Sequence, residues 1–213
     1  MCSTVSGKEQ NKVMTQNKRT YIFLGSSVTH GADGRSMCEY LAQNCDADII
    51  KWAVPGTTLS DQFENSYVAR LRAAIGEQES CDHFICQLST NDAGRCCALG
   101  TVSASFDAED FDVNTVIGAM EYIIASAKAR WRCPVSFYTG TYFESAGYAE
   151  MVKALLKLSE KWGIGVIDLY NDDRMRDVSE ASYRRWMRDP VHPTWEGYCE
   201  WWGPRFLAYL ENA

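Results

Sequence analysis

The chain lacks the sequence marks of several large protein classes. It contains no Gly-x-Gly-x-x-Gly fingerprint and no Gly-x-x-x-x-Gly-Lys-Ser/Thr loop, so a nucleotide cofactor has no support. It also lacks a Gly-x-Ser-x-Gly elbow, which weakens an assignment to the α/β-hydrolase class. Met1 to Thr20 is polar, without the apolar core of a signal peptide, and no later apolar run approaches the length of a membrane span. We therefore expect a flexible tail over 1–18 and a single domain over 19–213.

Positive charge is scarce as well. Lys and Arg number 21 against 28 Asp and Glu, which gives a formal net charge of −7. Nucleic acids and anionic membranes favour basic surfaces, so neither is an expected partner. One small basic cluster, formed by Arg184, Arg185 and Arg188, is interpreted as a solvated helix face.

Cysteine is abundant, but the pattern excludes its usual uses. The nine cysteines are odd in number and irregularly spaced, and no Cys-x-x-Cys pair occurs, which removes the common zinc and redox signatures. Reduced, mostly buried thiols in a cytoplasmic protein are the expectation. Asp107, Glu109, Asp110 and Asp112 form an acidic run without the glycine and the ligand spacing of a calcium loop. No metal and no organic cofactor is predicted.

Apolar runs typical of strands alternate with amphipathic stretches typical of helices. The predicted strands are Tyr21–Gly25, Asp48–Val54, His83–Leu88, Val135–Thr139 and Val166–Tyr170. The predicted helices are Ser36–Asn44, Leu59–Glu77, Val113–Trp131, Tyr148–Trp162 and Thr194–Leu210. This alternation predicts an α/β fold, with a five-stranded parallel sheet between two layers of helices. Ligands bind outside the carboxyl ends of the strands in such folds, and Ser27, Gly56 and Asn91 each follow a predicted strand.

Two short motifs supply the parts of an activated serine. Ser27 follows the first predicted strand, within Gly25–Gly31, and Asp189 lies three residues before His192 in the run Asp-Pro-Val-His-Pro. A serine hydroxyl is a poor nucleophile until a base takes its proton, and a histidine base works best when a carboxylate orients its ring. These residues predict a Ser27–His192–Asp189 triad.

Four motifs in order resemble the SGNH (GDSL-type) hydrolase family, which is named for a Ser, a Gly, an Asn and a His in separate blocks. They are Gly25-Ser26-Ser27-Val28-Thr29, Pro55-Gly56, Ser89-Thr90-Asn91-Asp92 and Asp189-Pro190-Val191-His192-Pro193. The resemblance runs from about residue 21 to the C-terminus. It implies a flavodoxin-like three-layer α/β/α fold with Ser27 as nucleophile. It also implies an oxyanion hole made by the backbone N–H groups of Ser27 and Gly56 and the side-chain amide of Asn91.

The chain departs from the family pattern at two positions. Ser26 stands where the family commonly has Asp, and Ser89 stands where it commonly has Gly. Neither position supplies a reacting group, so the departures bear on the acyl pocket and the loop conformation rather than on the chemistry.

Several other residues compete for the same roles. Ser26 is the rival nucleophile, and His30 is the second choice as base, although it is better placed to line the pocket. His83 opens the third predicted strand at the far end and is interpreted as structural. Asp168 is an alternative carboxylate, but it is expected inside the fifth strand in a structural role.

The sequence thus predicts a serine esterase that hydrolyses a carboxylic ester through an acyl-enzyme. The resemblance implies a small-molecule substrate with a short acyl group, such as acetyl on a sugar or on a lipid-like alcohol. A thioesterase or a lysophospholipase acting at the same site is the alternative. A non-catalytic binding module on the same fold also remains open, because fold does not fix function.

Overall fold

A five-stranded parallel sheet organises the part of the chain that the structure describes. The structure is a computed structural model, and it describes residues 18–78 and 80–212. The strands are β1 (Arg19–Gly25), β2 (Ala47–Ala53), β3 (His83–Gln87), β4 (Val135–Tyr138) and β5 (Gly165–Ile167). Their order in the sheet is β2-β1-β3-β4-β5, and every neighbouring pair is parallel. The predicted flexible tail lies outside the described residues, except for Lys18.

Helices connect the strands and cover the sheet. The α-helices are α1 (Ser27–His30), α2 (Met37–Asn44), α3 (Tyr67–Ala74), α4 (Thr90–Gly94), α5 (Val116–Trp131), α6 (Ala146–Trp162), α7 (Asp173–Arg176), α8 (Glu180–Trp186), α9 (Trp195–Gly197) and α10 (Gly203–Glu211). A short 3₁₀ turn spans Ala108–Asp110, and a π-helical turn over Tyr198–Trp202 joins α9 to α10. The last predicted helix, Thr194–Leu210, is therefore confirmed, with a π-turn inside it.

Each face of the sheet carries its own hydrophobic core. Alternate residues of β1 point to opposite faces, as in any strand. Ile22 and Leu24 pack in the cluster under α3, α5 and α6, whereas Tyr21 and Phe23 pack in the cluster under α2 and α10. The three-layer α/β/α architecture and the parallel sheet are thereby confirmed.

The predicted helix over Leu59–Glu77 is wrong in its first half. The backbone N–H groups of Leu59 and Ser60 donate to the two carboxylate oxygens of Asp92, at 2.7 and 3.0 Å. These bonds hold the segment as a loop against the carboxyl edge of the sheet. Helix α3 begins only after Ser66, whose hydroxyl accepts from the N–H of Ala69 at 3.0 Å and caps the helix.

The predicted fifth strand is also wrong in its extent. It was expected over Val166–Tyr170, but β5 ends at Ile167. The carboxylate of Asp168 turns the chain there, because it accepts from the backbone N–H and the side chain of Asn171 at 3.1 and 2.7 Å. Asp168 therefore lies just beyond the strand and not inside it.

The thiols within residues 18–78 and 80–212 are free, but fewer of them are buried than expected. Of the eight cysteines within the described residues, Cys38, Cys81 and Cys86 are buried and Cys96 is exposed, while the other four are partly buried. None of the helices described for this chain is long and apolar enough to cross a membrane.

Candidate active site

A tight turn after β1 presents Ser27 at the carboxyl edge of the sheet. The strand ends at Gly25, and Ser27 begins the short helix α1. A Cβ atom on Gly25 would lie 1.6 Å from Oγ1 of Thr29, so only glycine allows the chain to fold back this closely. The turn therefore depends on the glycine that the sequence motif contains.

Ser27, His192 and Asp189 form one chain of hydrogen bonds. Oγ of Ser27 lies 2.8 Å from Nε2 of His192, and Nδ1 of His192 lies 2.8 Å from Oδ2 of Asp189. A carboxylate only accepts hydrogen bonds, so Nδ1 carries the proton that is donated to Asp189. Nε2 of the neutral ring is then left as an acceptor for the Ser27 hydroxyl. The three predicted residues are thus brought together in an arrangement that can activate a serine.

The loop that carries His192 is stiffened around Asp189. Oδ1 of Asp189 accepts the backbone N–H groups of Val191 and His192 at 2.8 and 2.9 Å. Burial alone would raise the pKa of Asp189, but the hydrogen bonds from the Val191 amide and from the ring and amide of His192 outweigh it and hold the pKa below its usual range. Asp189 therefore stays ionised and keeps accepting from Nδ1 in mildly acidic solution.

Ser26, the rival nucleophile, faces the protein interior. It is fully buried, and its backbone N–H donates to Oε1 of Gln87 at 2.9 Å while its hydroxyl approaches the same oxygen at 3.4 Å. Oε1 of Gln87 also accepts from the hydroxyl of Thr29 at 2.8 Å. Gln87 thus ties both sides of the Ser27 turn together. Gln87 belongs to none of the sequence motifs, although a glutamine at the end of an apolar, buried strand indicates a buried amide that needs hydrogen-bond partners.

The other competing residues have different surroundings. His30 is partly buried and lines the cavity beside Ser27, as expected. His83 is buried at the amino end of β3, where Nε2 lies 2.8 Å from the hydroxyl of Ser136 and burial lowers its pKa to about 4. Asp168 bonds to Thr139 and Asn171 and not to His192. These contacts give His83 and Asp168 structural roles.

Gly56 lies in a turn that follows β2, and Pro55 of this turn lines the same cavity as Ser27. The φ of Gly56 is +77°, a conformation that favours glycine, whereas an added Cβ would meet nothing within 4 Å. The glycine is therefore required for backbone conformation and not for space. Within the described part of the chain, neither the N–H of Gly56 nor that of Ser27 donates a hydrogen bond to a protein atom. Both backbone N–H groups are thus left available as donors.

Asn91 follows the strand on the other side of β1. It belongs to α4, which follows β3, and β1 lies between β2 and β3 in the sheet. Nδ2 of Asn91 donates to the carbonyl of Thr57 at 2.9 Å, which ties α4 to the turn that contains Gly56. An amide nitrogen carries two N–H groups, so a second donor remains on the same atom.

Ser89, one of the two departures from the family pattern, caps α4. Its φ is −72°, so no glycine is needed there, and its hydroxyl accepts from the N–H of Asn91 at 3.2 Å. The departure therefore leaves Asn91 firmly placed.

A small cavity opens over the hydroxyl of Ser27. It has a volume of about 320 Å³, and its walls include His30, Pro55, Arg188 and Tyr198. Ligand pockets range from about 300 to 1,000 Å³, so this cavity is at the small end of that range.

The two charged clusters noted in the sequence contribute to surface structure. Arg184 and Arg185 are exposed on α8 and pair with Glu180 and Glu200. Arg188 lies outside the helix and pairs with Asp33 at 3.3 Å.

The acidic run stabilises turns. Asp107 accepts from the N–H of Glu109 at 3.2 Å, Asp110 from the hydroxyl of Ser105 at 2.6 Å, and Asp112 from the N–H of Asn114 at 3.1 Å. Across residues 18–78 and 80–212, no group of three or more His, Cys, Asp or Glu side chains could hold a metal ion.

Known proteins share this fold. Residues 23–199 match the model of the GDSL-like lipase/acylhydrolase family. A crystal structure of a protein from Lactobacillus plantarum superposes with a TM-score of 0.76 at 20% identity, covering 92% of this chain and 97% of that one. A member of the lipolytic protein G-D-S-L family from Veillonella parvula gives 0.68 at 17% identity, with 92% and 100% covered.

A structure described as an acetyl xylan esterase is also similar. Its TM-score is 0.63 at 16% identity, and the match covers 90% of this chain and 99% of that one. At these identities the likeness concerns the fold alone. No curated protein sequence matches the chain.

Proposed function

This chain belongs to the GDSL-like lipase/acylhydrolase family, and we propose that it is a serine esterase that hydrolyses a small carboxylic ester through an acyl-enzyme. The observation that carries the proposal is the continuous hydrogen-bonded chain from the Ser27 hydroxyl through His192 to Asp189, with distances of 2.8 Å at both links. Such a chain lets a neutral imidazole remove the serine proton at the moment of attack.

The reaction follows from these positions. Oγ of Ser27 attacks the ester carbonyl carbon while Nε2 of His192 takes the hydroxyl proton. The carbonyl oxygen becomes an oxyanion, which the N–H groups of Ser27 and Gly56 and the amide of Asn91 stabilise. His192 then returns the proton to the leaving alcohol, and the acyl group stays on Ser27.

The acyl-enzyme is resolved by the same groups. A water molecule loses its proton to Nε2 of His192 and attacks the acyl carbon. The second oxyanion collapses, the proton passes to Oγ of Ser27, and the carboxylic acid leaves. Asp189 keeps the His192 ring in one tautomer throughout and stabilises the imidazolium in each intermediate.

The small cavity supports a short acyl group, in particular acetyl. A cavity of about 320 Å³ beside Ser27 can hold a small ester. Acetyl esters of sugars or of small alcohols are therefore the proposed substrate class. The odd number of irregularly spaced cysteines supports the cytoplasm as the proposed location.

Covalent labelling tests the catalytic role of Ser27. A fluorophosphonate probe should attach to Ser27 of the wild-type chain, as mapped by mass spectrometry, and should not attach in Ser27→Ala. The control Ser26→Ala is expected to label normally if it folds. A wild-type chain that folds but is not labelled would favour a non-catalytic binding module.

An ester screen tests the substrate class. Acetylated sugars, acetyl esters of small alcohols, long-chain acyl esters, acyl thioesters and lysophospholipids are compared by kcat/KM. The highest value is expected among the acetyl esters. Preference for a thioester or a lysophospholipid would identify the chain as a thioesterase or a lysophospholipase that uses the same three residues.

A further inference from the structure

A cation without an anionic partner lies beneath the edge of the sheet that carries the site. Arg70 is near the start of α3, half-buried, with its guanidinium 5.1 Å from the ring centre of Tyr67. Among the ion pairs within residues 18–78 and 80–212, none includes Arg70. Burial lowers the pKa of Arg70, but arginine stays protonated in proteins. The N–H groups of its charged guanidinium must therefore donate to neutral oxygen atoms.

Nε of Arg70 donates to the carbonyl of Asn65 at 3.1 Å, just before α3, and the other acceptors belong to three separate segments. Nη2 of Arg70 donates to the carbonyl of Gly25 at 2.8 Å, and Nη1 donates to the carbonyl of Trp52 at 2.6 Å. Nη2 also donates to the hydroxyl of Thr57 at 3.1 Å. One side chain thus joins the last residue of β1, the end of β2 and the turn after β2. The planar fork of a guanidinium suits this pattern, since its donors diverge at fixed angles.

The segments joined in this way carry two of the groups that the proposed reaction uses. Gly25 lies two residues before Ser27, and Thr57 directly follows Gly56. The turn itself is closed by Thr57, whose hydroxyl donates to the carbonyl of Val54 at 2.7 Å. Any movement of β1 against this turn would change the distance from the Ser27 hydroxyl to the Gly56 amide.

We propose that Arg70 is a positioning residue that sets the spacing between the Ser27 nucleophile and the Gly56 amide by joining the segments that carry them. The proposal rests on the proposed esterase function, in which that amide stabilises the oxyanion. Arg70 touches neither substrate nor reacting atoms, so it acts through geometry. A misplacement of about 1 Å in such a site can lower the rate by about 10²-fold.

Substitutions of Arg70, with a control on the same helix, test this role. Arg70→Met keeps much of the apolar stem and removes every donor, whereas Arg70→Lys keeps the charge but not the fork. The control is Arg72→Met, because Arg72 lies two residues further along α3 and bonds to Tyr122 and Asp61 instead. We expect both Arg70 variants to lower kcat by about 10²-fold with KM changed less than about threefold, and Arg72→Met to change neither.

Chemical rescue separates positioning from a general loss of stability. Methylguanidinium in solution can occupy the space that Arg70→Met vacates and restore the diverging donors. It should raise kcat of Arg70→Met by at least about tenfold, which restores part of the roughly 10²-fold decrease expected for this variant. It should leave the wild type and Arg72→Met unchanged. A kcat close to the wild-type value in both Arg70 variants would overturn the proposal.

Hydrogen exchange gives a readout that does not need catalysis. Amide exchange in the segments 25–30 and 52–58 should be faster in Arg70→Met and Arg70→Lys than in the wild type or in Arg72→Met. Unchanged exchange there, or an equal rise over the whole chain, overturns the positioning role.

The two assays also separate failure of this inference from failure of the esterase assignment. If the folded wild type neither reacts with the fluorophosphonate nor hydrolyses any ester, the proposed function fails, and exchange still decides whether Arg70 holds the two segments. If Arg70→Met does not fold, the comparisons of kcat and of amide exchange are made with Arg70→Lys.

Discussion

Oγ of Ser27 lies 2.8 Å from Nε2 of His192, although the two residues are 165 positions apart in the chain. Ser27 begins α1, just after the first strand of the sheet, and His192 lies in the loop between α8 and α9. The contact therefore depends on the whole intervening fold. Since no local motif could create it, this distance is the strongest sign that the two residues act together.

Removing either partner of this contact should abolish most of the catalysis. We expect Ser27→Ala and His192→Ala each to lower kcat by several orders of magnitude, and the double variant to lose little more, because residues that act as a unit are strongly non-additive. The measurement is kcat on the best ester from the substrate screen. Full activity in Ser27→Ala, with loss in a folded Ser26→Ala, would move the nucleophile to Ser26.

Substitution of Gly56 by alanine should affect the chain through backbone strain, because the added Cβ has no atom to clash with. Gly56→Ala introduces a Cβ that meets no atom within 4 Å, yet the φ of +77° disfavours it by about 1–2 kcal/mol. The turn should relax and carry its N–H away from the oxyanion, which lowers kcat. Gly163→Ala is the matched control, since Gly163 has φ +57° and an equally open Cβ site at the end of α6.

Comparison of the two glycine variants decides the role of the turn. Both should lose a similar amount of stability in chemical denaturation, but only Gly56→Ala should lose activity. Equal activity in the two variants would mean that the Gly56 amide takes no part in the reaction.

Much of this architecture could be predicted from the chain alone. The sheet and its covering helices follow from alternating apolar runs, because that signal is local. The Ser27–His192–Asp189 triad is expected instead from the chemistry of these residue types and from the resemblance of their motifs to a known family. The loop before α3 could not be predicted in this way. Leu59 fits a helical pattern, but its amide is bound by Asp92, which lies 33 residues later.

Gln87 and Arg70 show the same limit within the site. Both hold backbone atoms of segments distant in sequence, and neither is part of a short motif. Gln87 ends a buried strand and Arg70 lies on a helix, and only the packed structure shows which amide or carbonyl each side chain contacts. Long-range polar contacts of this kind leave little trace in local periodicity.

The buried imidazole of His83 should make stability depend on pH. Its pKa in the folded chain is lowered by burial to about 4, against 6.5 as the ordinary value. Between these values the unfolded chain binds a proton that the folded chain excludes, so stability is full above about pH 6.5 and falls as the pH drops towards 4. Each pKa unit is worth about 1.4 kcal/mol, so the loss is at most about 3.5 kcal/mol.

Chemical denaturation of the wild type and His83→Gln checks this effect. The variant should lose less free energy of unfolding than the wild type when the pH is lowered through that window. Ser136, the partner of His83, offers a second comparison, because Ser136→Ala leaves the imidazole buried and should keep the wild-type slope. If the free energy of unfolding changed equally with pH in His83→Gln and in the wild type, other groups would cause the acid sensitivity.

Asn91→Ala should lower kcat by roughly 10²–10³-fold, the usual cost of one oxyanion-hole donor. The variant should also be less stable, because it loses the hydrogen bond to the Thr57 carbonyl, which is worth about 1 kcal/mol. Asn91→Asp should be at least as damaging to kcat, because a carboxylate there repels both that carbonyl and the developing oxyanion. Asn171→Ala is the control, since Asn171 also ties a turn but bonds to Asp168, away from Ser27.

The decisive comparison for Asn91 is between kcat and stability across these variants. Asn171→Ala should lose some stability and keep kcat, while both Asn91 variants lose kcat far beyond what their stability loss explains. If Asn91→Ala instead kept kcat within about threefold of the wild type while losing stability, its amide would serve only to hold the turn at Thr57. The oxyanion would then depend on the two backbone N–H groups of Ser27 and Gly56 alone.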